Sequence, residues 1–183
     1  MNAIHFLIEI AFDLFMIVVL LRIWLQMARA DFYNPMSQFV VKATNPLVLP
    51  LRRIFPMVRN WDIASLVLAY AIGIGKILAI AGITVGMMPA FGDILIVGLA
   101  NVVFPFLKLL FWIVIIQAIM SWFNQGYHPM MALMSQLTQP FLAPIRRIIP
   151  PIGGLDLSVL VLIVVIQFVE ILVGNLLRLG MAS

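Results

Sequence analysis

Four long apolar stretches dominate this sequence and decide what it can fold into. They run over residues 4–27, 63–88, 94–123 and 157–179, and each has about the 20 residues that a helix needs to cross a bilayer. Only 10% of the 183 residues are charged, and the mean hydropathy is +1.17, whereas a soluble domain has about 25% charged residues. A chain of this size cannot hide so much apolar surface from water. The sequence therefore predicts an all-α integral membrane protein with four transmembrane helices.

The basic residues are unevenly distributed between the two sides of such a protein. The long connections, residues 28–62 and 124–156, contain seven of the eleven Lys and Arg residues, and the connection at 89–93 contains none. Cytoplasmic loops of membrane proteins are enriched in Lys and Arg. The pattern predicts that both long connections lie in the cytoplasm and that both termini lie on the opposite side of the membrane. The net charge of +4 then indicates anionic lipid headgroups as partners rather than nucleic acid.

The two long connections resemble each other, with every match 94 positions apart and no gap. A repeat of this size indicates a duplicated structural unit. Because each unit contains two spans, the units have parallel topology, and we assign residues 1–93 to the first and 94–183 to the second. The recurring residues are Tyr33, Pro35, Met36, Thr44, Pro46, Pro50, Arg52, Arg53, Ile54, Pro56 and Asp62, which match Tyr127, Pro129, Met130, Thr138, Pro140, Pro144, Arg146, Arg147, Ile148, Pro150 and Asp156.

Each long connection divides into two parts. Asn34-Pro35 and His128-Pro129 are typical of an N-cap followed by proline at the first helical position, and about ten residues after each proline suit a short amphipathic helix in the membrane interface. The three prolines that follow are expected to prevent a regular helix. The candidates for contact with lipid headgroups or a protein partner are Pro46, Pro50, Arg52, Arg53, Pro56, Pro140, Pro144, Arg146, Arg147 and Pro150.

Those arginine pairs have two interpretations. As topology anchors that touch phosphate headgroups, they need no further role. As docking points, they attract an acidic cytoplasmic or membrane partner. Four arginines without a soluble basic surface make a poor nucleic-acid site.

The proline-rich segments, which end in Arg-Arg-Ile-x-Pro and precede an Asp and a new span, are similar to the YGGT family of small bacterial and plastid membrane proteins. Leu21-Arg22-Ile23-Trp24 and Ser121-Trp122-Phe123 also resemble its signature. The resemblance covers essentially the whole chain, in the two-domain form of proteobacterial members. It implies links to osmotic-stress tolerance and potassium balance, to division-site or nucleoid organisation, or to assembly of a plastid cytochrome complex, and it supplies no catalytic residues. Asn45 is replaced by Gln139 in the second copy, so the copies differ.

Charged residues inside the spans are the next candidates, because charges within a membrane are costly and often functional. Asp13, Lys76, Lys108 and Glu170 fall at one depth, about 20 Å from the cytoplasmic ends of their spans at about 1.5 Å of rise per residue. We interpret them as a mutually paired layer that locks the helices together, and Lys76 and Glu170 occupy equivalent repeat positions. The alternatives are a proton or cation pathway, and snorkelling or a misplaced span boundary.

The remaining patterns favour packing over chemistry. Gly75, Gly82 and Gly86 place small residues four or seven apart on the second span, which permits close helix contact within the chain or between copies. There are no cysteines, and no nucleophile, phosphate-loop or dinucleotide pattern is present. We therefore predict no catalytic, cofactor or metal site.

The most favoured function from the sequence is a non-catalytic inner-membrane scaffold or assembly factor that docks envelope components through the cytoplasmic Pro/Arg segments. A homo-oligomer is one possible assembly. The alternative is a small transporter, channel or channel modulator that contributes to ion balance under osmotic stress. An enzyme is the least favoured.

Overall fold

Six α-helices make up the computed structural model, which describes residues 3–58, 61–84, 89–123, 128–149 and 156–181. In chain order they are α1 (Ala3–Met27), α2 (Pro35–Arg52), α3 (Ile63–Thr84), α4 (Phe91–Phe123), α5 (Pro129–Ile148) and α6 (Leu157–Met181). Outside these helices, Val58 and Trp61 form an isolated β-bridge.

Four of these helices, α1, α3, α4 and α6, are long and apolar enough to cross a membrane. Even α3, with 22 residues, extends about 33 Å, which exceeds the roughly 30 Å hydrocarbon core. The prediction of an all-α chain with four spans is confirmed. The expected end of the second span at residue 88 lies outside the described residues, whereas α4 begins three residues earlier than expected, at Phe91.

The two connecting helices are longer than predicted. Their beginnings agree with the sequence, because the side chains of Asn34 and His128 accept hydrogen bonds from the backbone N–H groups of Met36 and Met130. They do not stop before the prolines, however. α2 continues for 18 residues through Pro46 and Pro50, and α5 for 20 residues through Pro140 and Pro144. The prediction of a short helix followed by irregular backbone was wrong.

The placement of the prolines explains why these helices continue. Prolines four residues apart lie on one face of a helix, and all four are exposed. Proline deprives the carbonyl four residues earlier of its donor. In α2 those carbonyls belong to Lys42 and Pro46, which are exposed as well, so solvent or headgroups can replace the lost hydrogen bond.

Two hydrophobic clusters hold the bundle together. One joins α1, α2 and α3, and the other joins α1 and α2 to α4, α5 and α6. Trp24 of α1 lies in the second cluster, fully buried, with its ring 5.4 Å from that of Phe106 and 5.8 Å from that of Phe141. Its indole Nε1 donates a 2.9 Å hydrogen bond to the carbonyl of Leu137. This indole therefore ties the first span to α5.

A close contact between α3 and α4 involves a glycine pair that was not predicted. A Cβ atom on Gly73 of α3 would lie 2.5 Å from the carbonyl oxygen of Gly98 on α4. Of the glycines predicted to pack, a Cβ on Gly75 would lie 3.3 Å from the ring of Phe12 on α1, and a Cβ on Gly82 would meet nothing within 4 Å in the described part of the chain. Among the described residues Gly82 therefore packs against no other helix, and Gly86 lies outside those residues.

Candidate functional site

A buried arginine links the first three helices at the end of the bundle that carries α2 and α5. Arg22 of α1 is only 4% exposed. Its Nη1 donates to the Val41 carbonyl at 3.3 Å, to Thr44 Oγ1 at 2.6 Å and to Asn45 Oδ1 at 2.8 Å, all on α2. Thr44 Oγ1 in turn donates to the Val40 carbonyl at 2.6 Å. Arg22 therefore satisfies polar groups on the inner face of α2.

The side chains of two arginines contact a single carboxylate, that of Asp62 at the start of α3. Arg52 at the end of α2 donates from Nε to Oδ1 at 3.3 Å and from Nη2 to Oδ2 at 2.6 Å, while Ser65 Oγ donates to Oδ2 at 2.7 Å. Arg22 Nε lies 3.6 Å from the same Oδ2. The Asp62 side chain is fully buried. This cluster, which we call the Arg22–Asp62 network, locks α1, α2 and α3 together.

A simpler version of the same contact occurs 94 positions later. Arg146 donates from Nε and Nη2 to Asp156 Oδ2 at 3.0 and 2.6 Å, and from Nη1 to Gln139 Oε1 at 3.3 Å. The Asp156 side chain is 31% exposed. The position equivalent to Arg22 is Ile116, so the second copy has no buried arginine.

These contacts separate the predicted arginines into two kinds. Arg52 and Arg146 each pair with an aspartate of their own chain, a contact that was not predicted from the sequence. Arg53 and Arg147 are exposed, as are Pro46, Pro50, Pro56, Pro140 and Pro144; Pro150 lies outside the described residues. Asp62 and Asp156, noted in the sequence only as recurring residues, are the carboxylates that hold the ends of α2 and α5.

The structure brings together two of the four charges predicted to form a layer within the spans. Lys76 Nζ of α3 lies 2.6 Å from Asp13 Oδ1 of α1. Lys76 and Glu170, which occupy equivalent repeat positions, do not pair with each other. Lys108 is exposed and Glu170 is half-buried, and among the described residues neither has an opposite charge within 4.0 Å.

Three of the cavities among the described residues lie away from these charges. One, of about 230 Å³, lies between the first turns of α2 and α5 and is lined by residues that include Asp31, Asn34 and Gln136. A wholly apolar one, of about 160 Å³, lies among α1, α2, α4 and α5, and a shallow one lies between α3 and α4. In the described ranges, no group of three His, Asp or Glu side chains is placed to hold a metal ion.

The electrostatics of the two aspartates make stability depend on pH. Burial alone raises the pKa of Asp62, but hydrogen bonds from Arg52 and Ser65, together with the charges of Arg52 and Arg22, outweigh it and leave the pKa below its usual value. The pKa of Asp156 is lowered as well: burial raises it, and the hydrogen bonds from Ser158 and Arg146 with the Arg146 charge outweigh that effect.

A carboxyl group with a lowered pKa in the folded state stabilises the fold above its unfolded pKa of about 3.9, and this contribution is lost as the pH falls through the folded pKa. We therefore expect that titration of these two carboxyl groups does not change the unfolding temperature in detergent between about pH 5 and 8. Once the pH is below about 4, the unfolding temperature should decrease. Asp62→Asn should show a smaller acid-induced decrease than the unsubstituted chain. An equal decrease in both proteins would contradict the assignment.

Comparison with known proteins shows one family. The model of the CCB3/YggT family matches residues 1–83 and 96–177. A protein of Vibrio alginolyticus, described as an uncharacterized protein in the proC 3′ region, is 51% identical over 96% of this chain and 96% of its own. The uncharacterized protein YggT of Escherichia coli K12 is 40% identical over 97% of this chain and 93% of its own. An uncharacterized protein of Pseudomonas aeruginosa is 42% identical, with 89% and 84% covered. No solved structure matches significantly.

Proposed function

This chain belongs to the CCB3/YggT family, and from that premise we propose that it is a non-catalytic scaffold or assembly factor of the bacterial inner membrane. It docks partners through the outward faces of α2 and α5, which lie on the cytoplasmic side with both termini in the periplasm. The observation that carries this proposal is the pair of arginine–aspartate contacts that hold these two helices at their ends.

Those contacts leave a defined surface free. We call it the docking face, and its exposed residues are Pro46, Pro50, Arg53, Ile54, Pro140, Pro144, Arg147 and Ile148. Ile54 is 70% exposed and Ile148 is 82% exposed, each next to an exposed arginine. An apolar anchor beside a positive charge suits a partner with a hydrophobic pocket and acidic rim, or the interface of an anionic membrane.

Rigidity supports docking in a second way. Because Arg52 and Arg146 bind the aspartates that begin α3 and α6, the two helices are held in place before a partner arrives. A surface ordered in advance loses less conformational freedom on binding. Proline side chains have almost no rotamer freedom to lose, so the exposed prolines of α2 and α5 do not increase the entropy cost of binding.

An in-cell crosslinking experiment tests the scaffold proposal. A photo-crosslinking amino acid at Pro50 or Pro144 is expected to give protein adducts, and the same probe at Leu99, an exposed residue of α4, is expected to give none. Adducts from the docking face should disappear in the Arg53→Glu/Arg147→Glu variant if it still folds. Equal adducts from all three positions, or adducts with lipid alone, would refute protein docking.

The second candidate function is a small transporter, channel or channel modulator that contributes to ion balance under osmotic stress. The Asp13–Lys76 pair favours it, because charged residues within spans often mark an ion or proton pathway.

A flux assay separates the two candidates. Under the scaffold proposal, liposomes containing the purified chain should show no potassium or proton flux above protein-free liposomes. A clear flux that is abolished in Lys76→Ala, with unchanged tryptophan fluorescence of that variant, would establish the alternative instead.

A further inference from the structure

The unpaired charges within the spans, Lys108 and Glu170, point to a second copy of this chain. Lys108 lies seventeen residues after the first residue of α4 and fifteen before its last. Its side chain is exposed, and within the described part of the chain it has no carboxylate within 4.0 Å. A charge at the centre of a lipid-facing helix is costly, and such residues usually have a partner.

Glu170 lies at the same level on the neighbouring helix. A Cβ on Gly174 of α6 would lie 3.9 Å from the ring of Phe104 on α4. Because α4 and α6 are consecutive membrane-spanning helices, they run in opposite directions. Lys108 is four residues after Phe104, and Glu170 is four residues before Gly174. Both charges are therefore one helical turn from the same contact, on the same side of it.

Two opposite charges at one depth on adjacent helices form a self-complementary pattern. A two-fold axis along the membrane normal places Lys108 of each copy against Glu170 of the other and leaves the depth of both unchanged. The surrounding side chains suit such a contact, because Trp112 of α4 and Phe168 and Ile171 of α6 are exposed. We propose that this chain forms a homodimer through α4 and α6, held by two reciprocal Lys108–Glu170 ion pairs.

The corresponding charges in the first half of the chain pair within one copy. The base and acid at comparable depth, Lys76 and Asp13, meet within the chain at 2.6 Å. The second half also has one base and one acid at this depth, Lys108 and Glu170, but these two do not pair within one copy. This interface is distinct from the docking face, so the dimer does not depend on the proposed function.

The dimer is detectable by cysteine crosslinking, because the chain has no cysteine. In full-length protein reconstituted in lipid, Phe168→Cys is expected to be joined to its counterpart in the other copy by a flexible bismaleimide linker, since the two α6 helices lie on opposite sides of the two-fold axis and are too far apart for a disulfide. Leu14→Cys on α1, which is also exposed and lies next to Asp13, is the control and should not be joined. Absence of the Phe168→Cys dimer, or equal crosslinking at both positions, would overturn the proposal.

Charge exchange then identifies the pairs. In the Phe168→Cys background, Lys108→Glu and Glu170→Lys should each weaken dimerisation by about tenfold, and mixing the two should restore it as a mixed dimer. The double variant Lys108→Glu/Glu170→Lys should dimerise by itself. Rescue in the double variant without rescue on mixing would mean that the pair forms within one chain, which would refute the dimer contact. If the reversals do not fold, Lys108→Gln and Glu170→Gln give the same comparison, and undiminished dimerisation of both would refute it too.

Discussion

Asp62→Ala is expected to lower the free energy of unfolding by about 3–5 kcal/mol, which is the usual cost of breaking a buried ion pair by removing one partner. The Asp62 carboxylate is the acceptor for Arg52 and Ser65, and it is the counter-charge of the buried Arg22. Without it, two arginines of like charge remain side by side, one of them nearly inaccessible. Unfolding in detergent, followed by tryptophan fluorescence, should show a decrease of about 10 °C in the midpoint.

The matched control is Asp156→Ala in the second half of the chain. It removes the same type of contact, since Arg146 also binds through Nε and Nη2, but the Asp156 side chain is partly exposed and no buried arginine depends on it. Exposed ion pairs contribute about 0–1 kcal/mol. A loss for Asp156→Ala equal to or larger than that for Asp62→Ala would contradict the role assigned to burial and to Arg22.

The contrast between the two aspartates also shows what the sequence was able to reveal. The recurrence of Arg and Asp ten residues apart in both copies was visible, and it contained the signal for the two ion pairs. The participation of Arg22 was not visible. Arg22 is forty positions before Asp62, and only the packing of α1 against α2 and α3 brings them together. The difference at position 116, an Ile in place of Arg, was the available hint that only the first copy has a buried network.

The spans were predictable because a long apolar stretch identifies a membrane-spanning helix by its length and composition alone. The connecting helices were not, because the presence of proline alone does not show whether a helix is interrupted. Its effect depends on which face it occupies: at Pro46 and Pro50 the face is exposed, so the helix continues. Likewise, opposite charges at one depth did not identify pairs, because partner choice depends on the rotation of each helix about its axis. Lys76 faces Asp13 rather than Glu170 for this reason.

The rotation of α3 about its axis also decides which of its glycines pack against a neighbouring helix. The substitution Gly73→Ala tests this packing. The added Cβ would lie 2.5 Å from the Gly98 carbonyl oxygen, a backbone atom that cannot move without separating α3 from α4. Overpacking of this kind costs about 1–3 kcal/mol. Separation of the helices would also weaken the 3.2 Å hydrogen bond from Asn101 Nδ2 to the Gly73 carbonyl. We expect a clear decrease in the unfolding midpoint for Gly73→Ala.

Gly82→Ala on the same helix is the matched control, because its Cβ meets nothing within 4 Å in the described structure. Alanine has a higher helix propensity than glycine by about 1 kcal/mol, so this substitution should leave the midpoint unchanged or raise it. Gly98→Ala should lie between the two, since its closest neighbour, at 2.8 Å, is the Cγ1 of Ile74, a side-chain atom that can shift. If Gly82→Ala destabilises the chain as much as Gly73→Ala, then close packing of α3 runs along the face that the small-residue spacing first suggested, and Gly82 contacts another copy or partner instead of lipid.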